Sequence, residues 1–219
     1  MVNQLDILIK HARLRDRPAG PVDIAITGGH IQAIAEELPL TAGTVLEAHG
    51  NLVTESYANP HLHLCKVYTL EQMDDEALRT YQGGSMGQAM TGIELAARVK
   101  ARYDAGWIVP NVRRAVRMAL AHGNTHIRAF ADVDRQARLE GVKALLQVRD
   151  EFKPLVNIQV VAFPQDGVVR EPGAADLVRQ AMELGADVVG GIPWIEYTDD
   201  GARQHIDEMF RIAREYDRP

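Results

Sequence analysis

Beyond Leu52 the apolar residues switch from a period of about two to a period of about 3.6 and back again, four times over, with no antiparallel hairpin between the runs. A strand-like run enters His61-Leu62-His63-Leu64, a long insertion follows, and a helix is expected over Asn111 to His122, ending at Gly123. Then come a strand at Thr125 to Val133, a helix at Arg135 to Phe152, a strand at Asn157 to Phe163 and a helix at Ala174 to Leu184 that stops at Gly185. The fourth unit pairs a strand at Asp187 to Ile192 with a helix carrying Ile206, Met209, Phe210 and Ala213 on one face. Consecutive parallel strands need crossover helices, so this rhythm predicts an α/β chain with a parallel sheet, either a barrel or a doubly wound fold.

The first fifty residues read differently. Leu5 to Ile9 alternates loosely, Val22 to Ile26 and His30 to Ile34 flank Gly28-Gly29 as a hairpin, and a further strand fits Val45 to Glu47. Short strands without an intervening helix mark off a β-rich minor domain. No unit repeats as sequence, which argues against a solenoid. The block QGGSMG at 82–87 reads as a loop.

Composition narrows the class. A chain of 219 residues, 46% hydrophobic and 25% charged, can build a sizeable core, and its formal charge of −6 offers no broad basic surface for nucleic acid. The lone Cys65 forbids an intrachain disulfide. The N-terminus lacks signal-peptide order and no stretch approaches the roughly 20 apolar residues that span a bilayer, so a cytoplasmic location is expected.

His61 and His63 flank Leu62, so on a strand both imidazoles leave from one face. Two converging imidazoles can bind zinc or iron if other elements complete the coordination, but an isolated HxH is equally an ordinary polar strand end. Four stretches carry a resemblance. The segment 51–66, ending PHLHLCK, resembles the part of the amidohydrolase superfamily in which a β-sandwich strand runs through an apolar bend into PHxHLDK. VVAFPQDG at 160–167 is close to the VAFPQ-G stretch of bacterial cytosine deaminases, and NTHIR with Asp132-Val133 and GADVVGGIP at 185–193 follow in family order. LDILIKHARL and VDIAITGGHIQAI resemble the superfamily's opening strands.

The resemblance implies a (β/α)8, TIM-like barrel of which only the first four βα units are present, at 52–219, with part of a small β-sandwich at 1–51. It implies one divalent metal, zinc or iron, held by His61 and His63, and a small nitrogen heterocycle hydrolysed at a C–N bond by metal-activated water. Strand four, DVVGGIPW, has no lysine to bridge a second metal, so a mononuclear site is expected. The remaining ligands, a histidine and an aspartate, and the glutamate that serves as general acid and base would lie beyond Pro219, so no catalytic residue is assigned within the chain. It is therefore expected to be part of a longer polypeptide, or to associate with a complementary chain or a second copy of itself.

Gln165 stands where the related deaminases hydrogen-bond the amide edge of a pyrimidine, a task its paired donor and acceptor suit. Lys66 matches the lysine of HLDK and either orients substrate, balances charge or lies on the surface. Three departures bear on substrate: Cys65 replaces an aspartate, Phe130 a histidine on the second strand, and Trp194 a histidine after Ile-Pro. Phe130 and Trp194 are expected to give the pocket a more apolar lining, and Cys65 to be a packing residue. Asp132 and Glu196 either face the site or are surface carboxylates. The reading is deamination of a pyrimidine- or triazine-like ring, against amide hydrolysis or an inactive half-barrel subunit.

Overall fold

The computed structural model describes residues 5–72, 75, 79 and 98–219, with backbone alone at 18 and 19. The expected loop at 82–87 lies outside the described residues. The chain divides into two compact units, Met1–Ser56 and Tyr57–Pro219.

The first unit is a four-stranded sheet built from β1 (Leu5–Leu14), β2 (Arg17–Thr27), β3 (His30–Ala35) and β4 (Ala42–Glu47), in the order β3-β2-β1-β4. The expected hairpin is there: β2 pairs antiparallel with β3, with Thr27 opposite His30 and positive φ at Gly28 and Gly29. β4 runs parallel to β1, with Ile7 opposite Thr44. The β1–β2 register slips between Ile9 and Ala12, where His11 takes a positive φ of 53°. This bulge turns the His11 N–H toward buried Asp23, whose carboxylate also accepts from Leu38 N–H. Burial alone would raise the Asp23 pKa, but the two backbone donors and nearby Lys10 hold it below the usual carboxylate range.

The second unit is a parallel sheet of β5 (Tyr57–Leu62), β6 (Asn124–Asp132), β7 (Asn157–Phe163) and β8 (Val188–Val189), in that order. Its helices are α1 (Ala105–Ala121), α2 (Glu140–Phe152), α3 (Ala174–Glu183) and α4 (Asp199–Glu215). Ile127, Ala129 and Ala131 of β6 and Ile158, Val160 and Ala162 of β7 pack in one core with Val112 and Val116 of α1, Leu145 of α2, Val178 of α3 and Ile212 of α4. All four helices thus cover the same face of the sheet. The opposite face carries a second, smaller cluster of Val161, Phe163, Ile192 and Ile195, with Phe130 against it. Period-two alternation sends neighbouring residues of each strand to opposite faces, which is how one strand serves both clusters.

Several expectations need correction. α1 starts at Ala105, not Asn111, because Asp104 caps it by accepting the Trp107 N–H at 3.0 Å, and Pro110 is carried inside the helix. α2 begins at Glu140 rather than Arg135. The fourth strand is regular only at Val188–Val189, although Asp187 N–H and Gly190 N–H extend the ladder by donating to Val160 and Ala162 carbonyls. A Cβ on Gly190 would lie 2.7 Å from Val161 Cγ1 and 2.9 Å from Phe163 Cδ2, so the close approach of this strand to β7 requires glycine. The buried stripe of α4 is His205, Met209 and Ile212, whereas Ile206 and Phe210 are 41% and 64% exposed. His205 rather than Ile206 turns inward, which rotates the buried face from the expected one.

Candidate metal and substrate site

β5 lies at one end of the sheet, where the missing N–H of Pro60 costs no central ladder bond. The strand ends in His61-Leu62, and His63 leads at once into a 3-10 turn, Leu64–Lys66. That turn buries Leu64 and Cys65 in the helix-side core and returns Lys66 to the side on which His63 stands. Gly141 of α2 makes room for it, since a Cβ there would lie 2.9 Å from Cys65 Cβ. Cys65 Sγ accepts the Asp132 N–H at 3.3 Å, and burial pushes its thiol up to about 12. It is a packing residue, as expected.

His61 Nε2 and His63 Nε2 stand 3.3 Å apart. Two nitrogens bound to a tetrahedral ion at about 2.0–2.1 Å each are separated by roughly that distance, so the pair fits two ligands of a zinc-like cation. Phe130 stacks on His61 with ring centroids 4.2 Å apart, and Phe163 meets His63 edge-on at 5.3 Å. Phe130 therefore braces an imidazole as well as lining the face. Among the described residues no group of three or more His, Cys, Asp or Glu side chains gathers to hold an ion. The two imidazoles are the side chains here whose geometry could contribute to such a site.

Behind the imidazoles lies a buried charge network. Asp132, at the end of β6, is fully buried, and its Oδ1 lies 3.6 Å from His63 Nδ1. Its Oδ2 accepts from Lys66 Nζ at 3.0 Å and lies 3.7 Å from Lys100 Nζ. Lys100 donates to Asp134 and Asp166, each at 2.7 Å, and Lys66 donates to Gln165 Oε1 at 2.9 Å. Burial by itself would raise the Asp132 pKa, but Lys66, His63 and Lys100 outweigh it and hold the carboxyl far below the ordinary range. Lys100 would be discharged by burial alone, yet its three carboxylate neighbours raise its pKa. Burial lowers the pKa of His63 against the opposing pull of Asp132, which favours the neutral ring a metal needs.

The structure thus brings His61, His63, Lys66, Phe130 and Gln165 together at the carboxyl ends of β5, β6 and β7. Trp194 sits in the turn Pro193–Ile195 and is 57% exposed. Glu196 is neither a surface carboxylate nor a member of the imidazole site: its side chain is buried, accepting from Val168, Val169 and Arg170 N–H groups and from His205 Nδ1. His205 Nε2 accepts the Ile192 N–H at 3.1 Å, so its proton must sit on Nδ1. Sequence reasoning missed Lys100, Asp134, Asp166 and His205. Asp134 follows Asp132 at the spacing of one strand face, and Asp166 adjoins Gln165, which were available signals; Lys100 and His205 had none, being single polar residues within helical or insertion sequence. A cavity of about 1100 Å³ opens at the opposite, amino-terminal ends of the strands, among Asn59, His126, Arg128, Gln159 and Asp187. The imidazole pair does not line it.

No family model matches the chain. It is 29% identical to N-isopropylammelide isopropyl amidohydrolase of Pseudomonas sp. (strain ADP) over 99% of its own length and 52% of that protein. It is 27% identical to the pterin deaminase of Rhizobium rhizogenes over 87% of its length and 41% of that protein. The crystal structure of 5-methylcytosine deaminase from Klebsiella pneumoniae liganded with 5-fluorocytosine superimposes with a TM-score of 0.81 at 28% identity, covering 96% of this chain and 49% of that one. The chain spans about half the length of the relatives it matches. These similarities bear out the resemblance to cytosine-deaminase-like amidohydrolases that the motifs carry.

Proposed function

We propose that the chain supplies the amino-terminal half of a mononuclear metal-dependent hydrolase that deaminates, or otherwise cleaves a C–N bond of, a pyrimidine- or triazine-like ring. The observation that carries this reading is the 3.3 Å spacing of the His61 and His63 Nε2 atoms beside Gln165, at the carboxyl end of a parallel sheet. Sites in singly wound parallel barrels sit at that end, and among the described residues α1, α2, α3 and α4 pack on one face of the sheet, an arrangement that suits the first half of a (β/α)8 barrel. The partition into a sandwich piece at 1–51 and a half-barrel at 52–219 belongs to the same proposal.

A divalent ion, zinc or iron, supplies Lewis acidity for water activation. The chain's own residues do the rest of what falls to this half. His61 and His63 offer lone pairs, Asp132 backs His63, Phe130 stacks on His61 and restricts water, and Gln165 hydrogen-bonds the ring edge. Trp194, Tyr197 and Phe210, which follow β8 in the chain, are all exposed. In this reading further polypeptide, continuous or complementary, corresponds to the unmatched half of the relatives, covers these side chains and brings the remaining ligands and the general acid. No described helix is long and apolar enough to cross a membrane.

Ammonia release from a panel of aminated pyrimidines, pterins and triazines tests the proposal, run with zinc or ferrous iron and with His61→Ala and His63→Ala controls. Release that persists in both controls would sink it. A second reading, that the chain binds a ring and an ion without turnover by itself, is favoured by the lack of a third ligand among the described residues. It predicts metal-dependent binding without ammonia.

A further inference from the structure

We infer that Lys66 is a positioning residue that fixes which way the Gln165 amide faces, and thereby makes the site select a ligand with a hydrogen-bond acceptor opposite Gln165. The inference rests on the reading of Gln165 as a ligand-facing residue and adds to it the polarity of the contact.

An ammonium has three donors and no acceptor. The Gln165 atom 2.9 Å from Lys66 Nζ must therefore be the carbonyl oxygen, so the planar amide turns its NH2 away from Lys66. Lys66 is itself held: its Nζ donates to Asp132 Oδ2 at 3.0 Å, and Asp132 is fully buried behind His63. Gln165 is 6% exposed, and its backbone N–H donates to the Phe163 carbonyl, which anchors the residue at the end of β7. Among the described residues the Gln165 NH2 has no hydrogen-bond partner, while its oxygen does. What Gln165 has left to offer is donors. A free amide could meet either a carbonyl or an N–H on a ligand by rotating half a turn; this one would have to break its contact with a buried-anchored ammonium to do so.

The test uses two probes of one shape, 2-pyrimidinone and 2-aminopyrimidine, in which an exocyclic oxygen acceptor is exchanged for an amine donor. By calorimetric or NMR titration the parent chain binds the pyrimidinone more tightly by roughly tenfold or more. In Lys66→Met, where the amide can rotate, the preference shrinks to within about threefold, and Lys66→Arg, which keeps donors, retains part of it. Equal weakening of both probes in Lys66→Met overturns the orienting role and leaves the heterocycle site standing. No binding of either probe to the parent chain overturns the site reading and this inference with it.

A ligand-free arm reports on the contact alone. Gln165→Glu turns the accepting oxygen into a carboxylate against Lys66, so its effect on thermal unfolding should be more favourable beside Lys66 than in the Lys66→Met background, by roughly 5 °C. The same shift in both backgrounds means Lys66 does not face that oxygen, and the inference fails.

Discussion

Asp132 Oδ1 and His63 Nδ1 stand 3.6 Å apart, and they are the two buried side-chain polar atoms without a hydrogen-bond partner among the described residues. A proton on Nδ1 facing that oxygen leaves the Nε2 lone pair toward His61, the tautomer in which both imidazoles can grip one cation. Metal ligands of this kind commonly donate their other ring N–H to a carboxylate, and losing that partner typically costs 10- to 100-fold in affinity, about 1.4–2.7 kcal/mol. Asp132→Asn is therefore expected to weaken zinc binding by about that factor, measured by competition with a chromophoric chelator. Unchanged affinity would show that the carboxylate does not hold the ring.

Lys100 neutralises a cluster that cannot stand without it. Its side chain is 4% exposed and meets Asp132, Asp134 and Asp166 within 3.7 Å. Removing one partner of a buried ionic group typically destabilises by about 3–5 kcal/mol. Lys100→Met should lower the urea midpoint accordingly, and the double variant Lys100→Met with Asp134→Asn should recover part of the loss. Independent, additive effects would count against the network.

The Glu196–His205 pair predicts a pH dependence of stability. Burial alone would raise the Glu196 pKa, but the His205 hydrogen bond and three backbone donors lower it below its unfolded value, about 4.3. As pH falls the unfolded chain takes up this proton first, so the contribution is complete above roughly pH 5 and is lost on acidification through the folded pKa. Glu196→Gln should flatten that part of the stability profile and lower stability at pH 7 by about 1–3 kcal/mol. An unaltered acid limb in equilibrium denaturation would refute the assignment.

Cys65 should be inert. A thiol pushed up to about 12 by burial is protonated at neutral pH, and the thiolate is the reactive form. Iodoacetamide at pH 8 is expected to label the chain only after denaturant is added; fast labelling of the native protein would contradict the packing role.

Gly190→Ala introduces a methyl where Val161 and Phe163 already lie within 3 Å. Overpacking of this kind costs about 1–3 kcal/mol. Thermal unfolding should show the loss, and a variant as stable as the parent would mean that β8 does not approach β7 so closely.

Local sequence determined much of this chain. The alternating strand–helix period placed four parallel strands, because apolar periodicity is set by which face of an element meets the core. His61 and His63 were legible as a same-face pair, since one intervening residue on a strand fixes that geometry before any folding. The contacts that surround the pair were not legible. Lys66, Lys100, Asp132, Asp134, Asp166 and Gln165 come from different elements, and only the tertiary fold brings them within hydrogen-bonding distance. The same holds for His205, polar by composition yet buried, because its two partners, Glu196 and the Ile192 N–H, arrive from outside its helix. Patterning reports how often a side chain meets the core; whether a buried charge finds its counter-charge depends on distances across the chain that no local period encodes.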